Sequence, residues 1–419
     1  GVTTYFGEID EAVLSKSDKI IISPGIDPKT PAISRAIQQG VSVVSDVQLF
    51  IDALKAQDKL SNTHTSVIAI TGSNAKSTVT TLVGLMAKQA QKNVGVGGNI
   101  GTPALDLLGI KNMDMVVLEL SSFQLEMMTD LQADVATILN LSADHLDRHG
   151  SMADYLAQKL KIFDHAKNAV VWLDDKELAQ TCVAHLPKNA QMISTSGEMS
   201  GSFSADFCLV SQTDDRGERI WLCHDGKKII SSDDILIKGK HNLLNALSAL
   251  ALGYAAGLPM PAMLDALRAF KGLPHRCEYV AELGGKAYFN DSKGTNIGAT
   301  LSAIDGLGAV YGERSLALIL GGQSKGQDFR KLAPFVWRLA CDVYLIGQDA
   351  DLIRQSLGLY KDLADRLVQA GTLDKAVILA SQSSAKAVLL SPACASLDQF
   401  KNYNERGDQF VSLVQGLTF

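Results

Sequence analysis

The chain has 419 residues, 46% hydrophobic and 20% charged, enough for two or three domains with full cores and unlike a disordered or fibrous composition. A formal net charge of -6 gives no electrostatic footprint for nucleic acid or an anionic membrane as partner. Six scattered cysteines (Cys182, Cys208, Cys223, Cys277, Cys341 and Cys394) form no Cys-x-x-Cys pair; they fit buried free thiols in a reducing cytoplasm rather than a zinc site or disulfide framework.

The chain opens on Gly1 rather than Met, which points to a processed start, and no signal peptide follows. Short apolar runs at residues 19–22, 67–70, 115–120, 135–139, 316–320, 343–346 and 388–390 alternate with helix-length segments, the pattern of parallel α/β sheets. Residues 194–234 have another texture, with mixed runs at 207–210 and 220–223 between turn residues, and predict a small antiparallel patch inserted into an α/β domain. The most apolar stretch, 246–267, is broken by Gly253, Gly257, Pro259 and Pro261, so it predicts two buried helices and no membrane span. Domain boundaries fall in the polar stretch 56–66 and near 271–274, where a helical run ends in Gly-Leu-Pro.

The strongest local signal is Ile68-Ala-Ile-Thr-Gly-Ser-Asn-Ala-Lys-Ser-Thr78. A buried strand runs into a Gly turn, and Lys-Ser-Thr then opens a helix through about Lys88. Such a turn aims backbone N–H groups at an anion, and the helix N-terminus adds partial positive charge. Lys76 supplies a compact cation for phosphates, and the Ser77 or Thr78 hydroxyl can reach Mg²⁺. A plain left-handed turn before a capped helix is the bland alternative; the strand before and the helix after weigh against it.

Two further strand ends carry polar chemistry. Glu119 closes the run at 115–120 in Glu119-Leu-Ser-Ser-Phe-Gln-Leu-Glu126, where a Mg²⁺ ligand is wanted beside a phosphate loop. His145 follows the next strand in Asn140-Leu-Ser-Ala-Asp-His-Leu-Asp-Arg148. Either residue alone reads as a surface group; three strands ending in such residues suit a ligand at their carboxyl ends. Spacing makes Lys159 a solvated lysine on a helix over 151–161. His241-Asn-Leu-Leu-Asn-Ala-Leu begins a helix that puts Asn242 and Asn245 on one face. Phe289-Asn-Asp-Ser-Lys-Gly-Thr-Asn296 ends a strand and opens a helix.

Thr71-Gly-Ser-Asn-Ala-Lys-Ser-Thr78 resembles the ATP loop of the Mur ligases and the related folylpolyglutamate synthases, and the other motifs follow in the same order nearly end to end. The resemblance implies a three-domain α/β architecture: a partial N-terminal Rossmann-like domain (1–57), a central P-loop ATPase-like parallel-sheet domain with the antiparallel patch (58–272), and a C-terminal Rossmann-like domain (273–419). It implies ATP and Mg²⁺ as cofactors. Gly72, Ser73, Asn74, Ala75, Lys76, Ser77, Thr78, Asn242, Asn245, Arg276 and Asp291 would contact ATP. Ser77, Glu119, His145 and Lys159 would hold metal, Lys159 as a carbamate, with Lys76, His145 and Lys159 as the catalytic set.

Substrate contacts implied in the same way are Ser23, Pro24, Gly25, Asn99, Ser121, Lys293, Thr295, Lys325, Ser396 and Tyr403. The last domain resembles that of the D-glutamate-adding members, through Gly321-Gly-Gln-Ser-Lys-Gly-Gln-Asp-Phe329 and Leu390-Ser-Pro-Ala-Cys-Ala-Ser-Leu-Asp-Gln-Phe400. The implied reaction joins D-glutamate to UDP-N-acetylmuramoyl-L-alanine through an acyl phosphate, in a cytoplasmic monomer. Departures are Ala75, where the family usually has Gly, Tyr403, where it often has Phe, and the lack of an opening Gly-x-Gly-x-x-Gly, which leaves Ser23-Pro24-Gly25 as the candidate uridine turn. Two rival readings remain: another ligase of the superfamily with a different acceptor, and a non-catalytic nucleotide-binding homologue.

Overall fold

The computed structural model describes residues 3–142, 145–198, 204–214, 217–324 and 326–418. Two compact units divide it: residues 1–231 with 245–267, and residues 232–244 with 268–419.

The first unit begins with two parallel strands, β1 (Lys19–Ile21) and β2 (Ser42–Val44), joined through the helix Pro31–Gln38. Ile20, Ile22, Ile33 and Ala36 bury one another beneath that helix. The helix Asp46–Ser61 follows, capped by Ser45, whose side chain accepts from Gln48 N.

Its second sheet has nine strands: β3 (Ser66–Thr71), β4 (Val94–Gly98), β5 (Met115–Glu119), β6 (Val135–Ile138), β7 (Asn168–Trp172), β8 (Gln191–Ser196), β9 (Phe207–Asp214), β10 (Gly217–His224) and β11 (Lys227–Ser231). They lie in the order β11-β10-β9-β8-β7-β6-β3-β5-β4. β5 and β6 are buried along their whole length, and β3 is from its second residue on, as continuous Val, Ile and Leu runs in a covered parallel sheet must be. β3 lies between β5 and β6, parallel to both, so the chain reverses its direction of travel across the sheet there. Loops that leave neighbouring strands in opposite directions open a crevice at the carboxyl ends, where ligands bind.

The patch at 194–234 is antiparallel over β9, β10 and β11, as its texture predicts. It is not a separate insert, however. β9 pairs in parallel with β8 through Thr195↔Phe207 and Ser196↔Cys208, so the patch is the edge of the central sheet. The apolar stretch 246–267 forms parts of two helices, Lys240–Ala255 and Met260–Ala269. Among the described residues no helix is long and apolar enough to cross a membrane.

The second unit is built on six strands: β12 (Glu278–Leu283), β13 (Lys286–Asn290), β14 (Leu316–Gly321), β15 (Ala340–Ile346), β16 (Leu367–Gly371) and β17 (Ala387–Leu390), ordered β12-β13-β17-β14-β15-β16. Only the hairpin β12–β13 is antiparallel. Apolar clusters cover both faces, one around Ile304, Leu318 and Phe329, the other around Ile319, Val377 and Phe410.

Candidate functional site

At the end of β3 the chain turns through Gly72 (φ 152°), where a Cβ would lie 3.2 Å from that of Leu139. Ala75 then takes the left-handed conformation, φ 67° and ψ -6°, and the helix Lys76–Gln89 begins. The first N–H groups of that helix have no carbonyl within it, and its dipole adds positive potential at the same end. Lys76 Nζ folds over the loop and donates to the Gly72 and Ser73 carbonyls, 2.9 Å each. Ser77 and Thr78 follow, half-buried.

The segment after β6 locks this loop. Ser73 N donates to Asn140 O at 3.1 Å, Asn74 N to Asn140 Oδ1 at 2.8 Å, and Asn140 Nδ2 to Asn74 O at 3.2 Å. Ser73 Oγ donates to Ser142 O at 3.0 Å and accepts from Ser142 N at 2.9 Å. From below, Lys159 Nζ donates to Gly72 O at 2.9 Å and Thr71 Oγ1 at 3.3 Å, its ammonium lying 4.6 Å from the Tyr155 ring centroid. Lys159 is 1% exposed. Its sequence spacing suggests a solvated face; the helix Met152–Leu160 instead turns it inward, onto the phosphate loop.

Glu119 ends β5 beside that loop and is 2% exposed. Asn99 Nδ2 donates to Glu119 Oε1 at 2.8 Å, whereas Oε2 is buried with no hydrogen-bond partner among the described residues. A carboxylate oxygen left so is costly unless a cation comes to it. Ser121 caps the short helix Ser122–Glu126 in a reciprocal pair with Gln124. That helix carries Phe123, whose ring lies 4.7 Å from the tilted His145 ring and stacks at 5.3 Å on His149. His145 is exposed, with φ 53°. His149 is buried against Ser122 Oγ at 2.9 Å; burial, more than its charged neighbours, holds its pKa below the usual imidazole value. Lys76 and Lys159 therefore meet at the Gly72 carbonyl, while Glu119 closes the neighbouring strand β5 and His145 packs on Phe123 of the helix that follows it. Ser23, Pro24 and Gly25 form a turn after β1, with Ser23 and Gly25 exposed and Pro24 half-buried, closed by Ile26 N donating to Ser23 O. Among the described residues no three His, Cys, Asp or Glu side chains gather as a metal cage.

In the second unit the carboxyl ends of β13, β17 and β14 gather the other candidates. Asp291 N donates to Leu390 O at 2.7 Å, Ala393 N to Gly294 O at 2.8 Å and Gly321 N to Pro392 O at 2.9 Å. Lys293 is exposed, its ammonium 5.2 Å from the Tyr403 ring centroid. Ser396 is 3% exposed in the loop after β17. Thr295 is half-buried and Arg276 exposed. Asp291 turns inward: Oδ2 accepts from Ser391 Oγ at 2.6 Å and Oδ1 from Cys277 N at 3.1 Å. Burial pushes its pKa up to about 7 against those hydrogen bonds and the charges of Arg276 and Arg406. Asn242 and Asn245 sit near the start of the helix Lys240–Ala255, with Asn242 Nδ2 donating to Lys238 O. Lys325 lies outside the described residues.

Several residues that hold the sites together carry no sequence signal of their own. Tyr155 lies over Lys159 and its hydroxyl shares a hydrogen bond with Ser73 Oγ at 3.2 Å. Gln327 Nε2 donates to the Thr295, Ser324 and Ala393 carbonyls, binding three loops. All six cysteines are free, and burial pushes the Cys182 and Cys394 thiols up to about 12 and Cys223 to about 11, so those three are inert near neutrality.

Residues 1–45 match the Mur ligase MurD-like N-terminal domain, 70–253 the Mur ligase middle domain, and 275–394 the Mur ligase glutamate ligase domain. A UDP-N-acetylmuramoylalanine--D-glutamate ligase from Psychrobacter arcticus is 48% identical, over 98% of this chain and 85% of that protein. This chain belongs to the Mur ligase family. Its relatives of the same name include those of Acinetobacter baylyi, 46% identical over 99% of this chain and 89% of that protein, and Pseudomonas aeruginosa, 46% over 98% and 87%. They put this Mur ligase in the MurD branch, whose members are ATP-dependent ligases. The fold likeness is broader. A solved UDP-N-acetylmuramoyl-L-alanyl-D-glutamate--2,6-diaminopimelate ligase matches with a TM-score of 0.67 at 19% identity, covering 98% of this chain and 95% of that one. A folylpolyglutamate synthase from Thermotoga maritima matches at 0.60 and 15%, covering 87% and 93%. These likenesses are of fold alone; this chain has the three-domain α/β fold of the Mur ligases, with a small first sheet, a mixed central sheet and a six-stranded last one.

Proposed function

We propose that this Mur ligase joins D-glutamate to UDP-N-acetylmuramoyl-L-alanine, using ATP to activate the alanyl carboxylate. The observation that supports the chemistry is the convergence of Lys76 and Lys159 on the Gly72 carbonyl of a strand-to-helix loop, with Glu119 at the end of the adjacent parallel strand and His145 in the segment after β6. The γ-phosphoryl group passes to the carboxylate, giving an acyl phosphate and ADP. The D-glutamate amine attacks that carbonyl, loses a proton, and inorganic phosphate leaves as the amide forms. The loop N–H groups and Lys76 hold the phosphates through both steps, and their fixed dipoles need no reorganisation as charge shifts.

Magnesium fits the residues present. It takes oxygen ligands, and Glu119 Oε2 is a buried carboxylate oxygen with no other partner among the described residues. Glu119, Ser77, His145 and Lys159 would hold it, Lys159 after its neutral amine adds CO₂ and loses a proton to become a carbamate. Bound there, the ion supplies neutralisation of the transferred phosphoryl group.

In this reading residues 1–57 carry the uridine turn at Ser23–Gly25, 58–272 the ATP site with Asn99 and Ser121 toward the substrate, and 273–419 the amino-acid site. Arg276, Asp291, Asn242 and Asn245 serve the nucleotide. Lys293, Thr295, Lys325, Ser396 and Tyr403 orient D-glutamate, which lowers the barrier by proximity. The free thiols suit a reducing cytoplasm. The test is phosphate release from ATP with the UDP-substrate and D-glutamate, L-glutamate or L-alanine in turn. Release with D-glutamate alone supports the reading; release with L-glutamate alone, or with no acceptor dependence, ends it.

A further inference from the structure

Arg406 is buried to 1% exposure on the helix Tyr403–Gln415, and no role has yet been given to it. Its Nε donates to Ser292 Oγ at 3.0 Å, and Nη2 donates to Ser292 O at 2.8 Å and Cys394 O at 3.2 Å. Ser292 Oγ in turn donates to Tyr403 O at 2.7 Å. One guanidinium thus ties the loop of Lys293 and Thr295, the loop of Ser396 and the helix start at Tyr403.

Its charge is the more telling feature. A fully desolvated guanidinium ordinarily recruits a carboxylate. Among the described residues Arg406 has no such ion pair; Asp398 and Asp291 support it only through space. Burial pulls its pKa down to about 10, and Nη1 is buried without a partner. Beside Nη1 runs the loop after β14: a Cβ added at Gly322, which has φ +127°, would lie 3.3 Å from Nη1 and 2.2 Å from Ala395 O. That loop leads to Lys325. The fold therefore keeps a positive charge without a direct carboxylate partner among the described residues, packed closely under the candidate amino-acid loops.

We infer that Arg406 is the positioning residue for the amino-acid substrate: it clamps the three loop ends and gives them the positive field that selects a second carboxylate. This rests on the acceptor site proposed above. Arg406 does not touch the substrate; it acts through Ser292, Lys293, Cys394 and Tyr403. Its effect falls on the acceptor, not on ATP or the UDP-substrate.

Steady-state kinetics on the full chain test this, with Arg406→Met, Arg406→Lys and Ser292→Ala against wild type, using D-glutamate and its amide D-glutamine. The Met variant should raise the KM for D-glutamate at least tenfold and lower the preference for D-glutamate over D-glutamine by a similar factor, with KM for ATP and UDP-substrate within twofold. The Lys variant should recover part of both. Ser292→Ala keeps the cation and loosens the clamp, so it should raise the D-glutamate KM about threefold with the preference intact. An unchanged D-glutamate KM in either Arg406→Met or Ser292→Ala, or an equal rise in all three KM values, overturns the inference. Should Arg406→Met not fold, Ser292→Ala decides it alone. If the wild type prefers another dicarboxylic amino acid, the acceptor assignment fails while the same comparison runs on that acceptor.

Discussion

Ala75 is where chemistry and backbone disagree most plainly. Its φ of 67° is the left-handed region, which costs an L side chain roughly 1 kcal/mol or more. Ala75→Gly should stabilise the protein by about 1 kcal/mol, less the added entropy of a glycine in the unfolded chain, as read by urea denaturation, with kcat undiminished. Glu119 shows the converse trade. Glu119→Gln removes a buried charge that lacks a full set of partners, so stability should hold or rise, while kcat falls by about a hundredfold. Parallel unfolding and activity assays check the pair.

Asp291 adds a pH term at the same scale. Its folded pKa, near 7, lies above the usual carboxylate value, so the folded state binds the extra proton. Stability is then greatest at low pH and is lost as pH rises toward and through 7. Between pH 6 and 8 the wild type should lose about 1 kcal/mol relative to Asp291→Asn. Denaturation of both proteins at the two pH values gives the answer; a constant difference would refute the shift.

At the scale of elements, the helix Met152–Leu160 matters most because it delivers Lys159 beneath Gly72. Ser151 caps it, accepting from Asp154 N at 3.1 Å and donating to Asp154 Oδ2 at 2.6 Å. Ser151→Ala should cost about 1 kcal/mol in unfolding free energy and lower kcat more than KM, because it frays the helix that holds Lys159, the lysine proposed above as a metal ligand. The same helix marks the limit of sequence reading. Its existence was plain from the apolar spacing, but the burial of Lys159 was not, since a lysine on a helix carries no sign of which neighbour it will meet. The runs that became β3, β5, β6 and β14 were readable for the same reason, being continuous and apolar. The join of β8 to β9 was not: it rests on two residue pairs, and pairing across a loop leaves no local pattern. Arg406-Gly-Asp-Gln-Phe410 and the motif holding Gln327 resemble family segments, but the roles of Tyr155, Gln327 and Arg406 stayed hidden likewise, each resting on contacts 82, 66 and 114 positions away in the chain.

Across the whole molecule, both large sheets put their chemistry at carboxyl ends of parallel strands, and the family resemblance becomes physical there. The loop after β3 meets the segment after β6; the loop after β13 meets those after β14 and β17. Nucleotide binding should then be visible as stability. A nucleotide at a hundred times its Kd adds about 2.7 kcal/mol, and Lys76→Ala should abolish most of the shift in Tm. The most direct test is a crystal structure with ADP and Mg²⁺. The account predicts phosphates against the N–H groups of residues 73–78, with the ion on Glu119 Oε2. Phosphates bound elsewhere, with Glu119 left without a cation, would contradict it.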